Sequence, residues 1–293
     1  MPKTRWRYRA NCLVPEGEQL PSGTLRYAAR VEYDGSVYCG WQRQPHCQSV
    51  QALVEKALST VAAEPITVAC AGRTDSGVHA THQVIHFDSV AERTSRNWVL
   101  GANANLPRDI RCHWAAPVPA DFHARFSARS RTYRYVVANR QSPPALGRLA
   151  LTWESKRLSV PAMKRGARYL KGEQDFSAFR AAGCQSQSPW RFIHYVDVFR
   201  VGELVVFEVC ANAFLLHMVR NIVGVLLAVG RGERPAEWVG EVLVTRDRRC
   251  AAATAPASGL YLVAVEYPAK FELPETKPGP FFISRKLRPR AQV

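Results

Sequence analysis

The sequence predicts an α+β protein of two lobes, with antiparallel or mixed sheets meeting around a central cleft. Three observations carry this. The chain has 293 residues, enough for about two domains. Strand-like and helix-like stretches mix without the regular βα alternation of a parallel α/β fold. Phe192–Phe199 and Leu204–Val209 alternate around Val201-Gly202, the pattern of an antiparallel hairpin. The boundary is expected near residues 117–130, giving lobes at 25–120 and 121–270. An N-terminal extension at 1–24 and a basic, mobile tail at 271–293 flank them.

The elements follow in order. Pro15, Pro21 and Gly23 break the extension, and Leu25–Tyr33 reads as the first strand. Asp34-Gly35 turns the chain into an aromatic loop. Ser49 caps a helix over VQALVEKALSTVAAE, whose Val50, Leu53, Leu58 and Val61 fall near one face. Ile66–Ala71 and HQVIHFD read as strands on either side of GRTDSGVHA. Trp98–Asn105 reads as a helix ended by Pro107, and Ile110–Ala115 as a strand. In the second half, Thr132–Asn139 is a strand and Pro161 opens a helix to Leu170. After the hairpin come helices at Phe214–Val229 and from Pro235 to Val244, then a last strand, Leu260–Tyr267.

Charge and composition narrow the function classes. With 47% hydrophobic and 22% charged residues the chain can build a core, which excludes wholesale disorder. The most apolar run, Phe214–Val229, is interrupted by His217, Arg220 and Asn221, so no membrane span is expected. The net charge of +16 favours a polyanionic partner. No cysteine pair has C-x-x-C spacing, and Cys70 and Cys210 sit in apolar runs, as in a reducing, cytoplasmic compartment. The basic N-terminus has no apolar segment after it and carries Glu16 and Glu18, unlike a secretory or transit signal.

Three features carry chemistry. In AGRTDSGVH two glycines bracket Arg73 and Asp75 between two apolar strands. This is a common setting for a catalytic acid, and also for a plain turn in which Asp75 bonds nearby backbone N–H groups. Arg220 lies inside an otherwise apolar helix and needs an anion, because an unpaired buried charge costs several kcal/mol. Asp75 is the partner expected, and the pair would keep the carboxylate ionised and aimed. Residues 124–140 hold five arginines and no acid. There Arg131, Tyr133 and Tyr135 share one strand face, a combination suited to phosphate contact and base stacking, or to a solvated basic edge.

Two motifs point elsewhere. His79, His82 and His86 resemble metal ligands, but on a strand only His82 and His86 share a face, and no metal is expected. Asp75-Ser76-Gly77 matches the core of an aspartic protease, which needs a second such carboxylate.

VEYDGSVYCGWQRQ, AGRTDSGVHATHQVIHF, NANLPRDI, DFHARFSARSRTYRYVV, DFSAFR, NAFLLHMVRNIVG and GLYLVAVEYP occur in this order over roughly residues 25–282. Together they closely resemble the tRNA pseudouridine synthase A family. The resemblance implies isomerisation of uridine to pseudouridine at positions 38, 39 and 40 of the tRNA anticodon stem-loop. It also implies a homodimer of two-lobed subunits working without cofactor or metal. By match, Asp75 is the catalytic aspartate and Arg220 its basic partner. Tyr133 stacks near the target base, Arg73 enters the helix to help turn out the nucleotide, and Leu260 lines the uracil pocket. Arg125, Arg129 and Arg131 are the candidate RNA contacts. Ser76 stands where the family usually has alanine. The implied reaction breaks C1′–N1, rotates the uracil and forms C1′–C5, with attack on ribose, attack on the base and ribose proton abstraction all open to Asp75. An RNA-binding protein without catalysis is the competing reading; it needs only the charge and the aromatic strand.

Overall fold

The strand signal at Leu25–Tyr33 is realised in full as β1, in a computed structural model that describes residues 20–287. Most of the expected extension at 1–24, and the last residues of the tail, lie outside the described residues. Ser49 caps α1 (Val50–Ala62), accepting from the amide of Ala52. Then come β2 (Ala69–Cys70), β3 (His79–Ser89), α2 (Ser95–Asn105) and β4 (Ile110–Val118). The second half holds β5 (Ser130–Asn139), β6 (Thr152–Glu154), α3 (Val160–Ala167), β7 (Gly172–Asp175), β8 (Trp190–Val201) and β9 (Leu204–Ala211). It ends with α4 (Met218–Gly230), α5 (Trp238–Thr245) and β10 (Leu260–Glu266). Among the described residues no helix is long and apolar enough to cross a membrane.

The α+β class holds, with the strands joined into one ten-stranded mixed sheet ordered β4-β1-β3-β10-β5-β9-β8-β7. β2 adds to β3, and β6 to β5. The join is made by the last strand. β10 runs antiparallel to β5, with Leu260 opposite Tyr135 and Leu262 opposite Tyr133, and parallel to β3 at Tyr261/His79 and Leu262/Ala80. A strand far along the sequence therefore carries the loop before β3 up to the side chains of β5.

Apolar alternation decides which face each helix covers. On the first half, Tyr27, Phe87 and Trp98 pack as a trio with centroids 4.9–5.6 Å apart, Trp98 meeting Phe87 edge-on, which fixes α2 on the sheet. On the second half α4 is buried along nearly its whole length, and its Val223 and Leu226 join Val137, Phe207 and Val209 in one core. The opposite face of the second half buries Val136, Phe199, Val206, Tyr261 and Val263 under Ile283.

Four expectations need correction. The tail is not loose as far as residue 287. Arg134, fully buried and paired with Glu208, donates to the carbonyls of Gly279 and Arg285, and Arg285 reaches Asp197 at 3.1 Å. These bonds and buried Ile283 hold the segment against the sheet. The strand expected at Ile66–Ala71 pairs only at Ala69–Cys70, because α1 side chains take its earlier amides: Ile66 donates to Ser59 and Val68 to Glu55. The helix expected from Phe214 begins at Met218, since His217 adopts a left-handed backbone, φ +58°. The short strands β6 and β7 were not expected; GEQD carries no strand propensity, and β7 forms only as the edge partner of β8.

Candidate active site

The loop between β2 and β3 is clamped from three sides. Ala71 donates to Val84, and the Gln83 amide brackets Gly72, donating to its carbonyl at 2.6 Å and accepting from its N–H. Thr74 shares a hydrogen bond with Tyr33, and its carbonyl accepts from Trp41. Gly40 has φ +93°, and a Cβ there would fall 2.6 Å from the Thr74 carbonyl, so only glycine lets the 38–41 segment lie this close. Gly77, at φ +76°, lets its N–H and the Ser76 hydroxyl both reach the Tyr38 carbonyl. Asp75 thus stands on a fixed backbone. Among the described residues none hydrogen-bonds its carboxylate, unlike the plain-turn alternative.

The side chains across from Asp75 come from the N-terminal end of α4. Arg220 Nη1 lies 3.7 Å from Asp75 Oδ2, and His217 Nε2 lies 3.5 Å from the same oxygen. Both distances exceed a hydrogen bond in this state. Arg220 keeps Nε on the Ala255 carbonyl at 2.8 Å, which fixes the guanidinium beside the carboxylate. Asn221, fully buried, holds Phe179, Thr254 and Arg248 together behind the helix. It supports the site from behind.

Tyr133 is buried on β5, its hydroxyl 3.5 Å from where a Cβ on Gly72 would sit. Its ring meets Phe214 edge-on at 5.0 Å. Burial first, then the Asp75 charge, pushes its phenol above the usual tyrosine range, so it stays protonated at neutral pH. Leu260 is buried diagonally across from it on β10. Arg73 points outward and touches Gln185 of the 181–189 loop at 3.4 Å.

The arginine segment divides in two. Arg125 and Arg129 are exposed. Arg131 is turned inward: its guanidinium donates to the carbonyls of Ala71 at 2.9 Å, Asn212 at 2.9 Å, Ala128 and Arg125. Buried and saturated by backbone, it braces the loop that bears Asp75 and presents no donor fork to a phosphate. This moves it out of the expected set of RNA contacts. Strand alternation put it on the same face as Tyr133 correctly, but that face is interior here.

The three histidines of β3 go separate ways. His79 Nε2 bonds the Leu149 and Ser258 carbonyls, His82 Nδ1 bonds Thr276, and His86 Nδ1 accepts from the amide of Ala124. Sequence reasoning noted His217 in the same apolar run as Arg220 but gave it no role beside Asp75. The signal was present as a polar residue three positions before Arg220 in an apolar run.

A family model of tRNA pseudouridine synthase matches residues 29–127 and 167–268. tRNA pseudouridine synthase A of Klebsiella pneumoniae is 53% identical over 271 residues, covering 92% of this chain and all of that protein. The protein of the same name from Vibrio cholerae is 53% identical over 263 residues, 90% of this chain and 100% of its own. That of Coxiella burnetii is 54% identical over 258 residues, 88% and 99%.

Proposed function

The chain belongs to the tRNA pseudouridine synthase family and isomerises uridine to pseudouridine in tRNA, and from that premise we propose that Asp75 is the catalytic carboxylate and that the targets are positions 38, 39 and 40 of the anticodon stem-loop. The observation that carries the assignment is the meeting of Asp75 with Arg220. Two segments far apart in sequence put a carboxylate and a guanidinium 3.7 Å apart, with the carboxylate on a loop held by hydrogen bonds to Gln83, Tyr33 and Tyr38.

The reaction exchanges the C1′–N1 bond for a C1′–C5 bond. The hydrogen on C5 leaves as a proton and N1 gains one, so no net oxidation occurs and no redox cofactor is called for. The target nucleotide must first leave the helical stack, at a cost of a few kcal/mol. Arg73, exposed at the mouth, enters the vacated space. Tyr133 stacks on the turned-out uracil and Leu260 closes the apolar side of the pocket. The resting phenol is protonated and can donate a hydrogen bond here. All three routes open to Asp75 need an ionised oxygen facing the nucleotide, and Arg220 supplies the opposing charge. Arg125 and Arg129 hold phosphates beside the site.

Residues 25–120 and 121–270 are taken as the two lobes, with the cleft over the short β3–β10 pairing, two residue pairs long. The active form is a cytoplasmic homodimer. The family resemblance supports the dimer, and the buried thiol of Cys112, outside any disulfide, supports the compartment. The test is pseudouridine mapping in tRNA from cells lacking this protein. Restoration of positions 38, 39 and 40 by the wild-type chain, but not by Asp75→Asn, is expected. Restoration elsewhere, or by the variant, overturns the reading.

A further inference from the structure

His217 stands at a place where the fold does not ask for histidine. Its backbone is left-handed, φ +58° and ψ 7°, a region that costs a non-glycine residue on the order of 1 kcal/mol. Its side chain makes no capping bond to α4 and is one-third exposed, so neither capping nor core packing accounts for it. The ring instead has Nε2 3.5 Å from Asp75 Oδ2, the oxygen that Arg220 approaches at 3.7 Å. His217 precedes α4 and Arg220 lies in its first turn, and both side chains reach the same carboxylate oxygen from that end of the helix. The tight turn that closes there, Met218 donating to Leu215, fixes the backbone from which the ring projects.

We propose that His217 is a positioning residue for Asp75: with Arg220 it holds Oδ2 from the α4 side, so that Oδ1 is the oxygen presented to the reacting nucleotide. One cation on a carboxylate leaves it free to rotate about the Cβ–Cγ bond. Two donors converging on one oxygen fix which oxygen faces the substrate. The Nε2 contact tightens to a hydrogen bond when substrate closes the site, as loose contacts of resting sites commonly do. The assignment rests on the reading of Asp75 as catalytic.

The test uses the full chain, an anticodon stem-loop tRNA carrying C5-tritiated uridine, and three variants. His217→Gly suits the left-handed backbone, so melting temperature should hold or rise while kcat falls on the order of 10- to 100-fold, the cost of a misplaced reacting group. The tRNA dissociation constant should stay within about twofold, since no phosphate contact is lost. His217→Gln keeps a side-chain N–H donor of similar reach and should recover most of the lost kcat. Asp75→Asn is the inactive control. Wild-type kcat in His217→Gly beside a dead Asp75→Asn overturns this inference and leaves the catalytic assignment intact, whereas activity in both overturns the assignment itself. A loss of melting temperature in His217→Gly would make the residue structural, and weakened tRNA binding at unchanged kcat would make it an RNA contact; either contradicts the proposal.

Discussion

Replacing Arg220 with methionine removes the guanidinium while keeping an apolar side chain of similar length on α4. Two unit charges 3.7 Å apart at an effective dielectric of about 20 attract by about 4 kcal/mol. Asp75 is 24% and Arg220 16% exposed, so water screens part of this, and about 2 kcal/mol is a fair lower bound. Where that stabilisation is felt in the transition state, kcat falls by about 30-fold at the lower bound and about 1000-fold at the upper. Single-turnover tritium release from C5-labelled tRNA measures the chemical step, and filter binding measures the tRNA affinity, which should not change. Arg220→Lys keeps a charge but cannot also hold the Ala255 carbonyl through Nε, and should fall between the two. Turnover of Arg220→Met within twofold of wild type would refute the pairing as a source of catalysis.

Three further predictions concern the roles assigned to other groups. Arg131→Met leaves several buried carbonyls without a donor and should cost about 3 kcal/mol in urea unfolding, with the salt dependence of tRNA binding unchanged. Arg129→Ala should do the reverse, leaving stability alone and lowering the salt slope by about 1. His86 is held neutral by burial, its pKa pushed down to about 3, and protonation would remove the acceptor of the Ala124 amide. The unfolded chain therefore binds the proton more readily, and stability should fall as pH drops from about 6.5 toward 3, by at most about 1.4 kcal/mol per pH unit from this group. His86→Gln should flatten that slope, and an unchanged slope would contradict the assignment.

The parts of the fold governed by local rules were legible. The alternation of β1, the Ser49 cap of α1 and the β8–β9 hairpin follow from residues near one another in sequence. The Asp75–Arg220 partnership was also legible, because an arginine in an apolar helix needs an anion and the loop at 71–79 offers one. What escaped depends on distant partners. β2 is short because Glu55 and Ser59 of α1 take its amides, a competition no strand pattern records. Arg131 reads like its neighbours Arg125 and Arg129, and only the carbonyls of Ala71 and Asn212 distinguish it. The tail reads as solvated from Arg285 and Lys286, yet buried Arg134 sits where the carbonyls of Gly279 and Arg285 can reach it. His217 was hidden by the helix pattern itself, which ran through a residue whose backbone breaks the helix.

Single-turnover tritium release by Asp75→Asn bears most directly on the whole account. The substitution preserves size and removes the charge, so tRNA binding should persist and no tritium should be released above background. Release at the wild-type rate would show that the chemistry does not pass through this carboxylate.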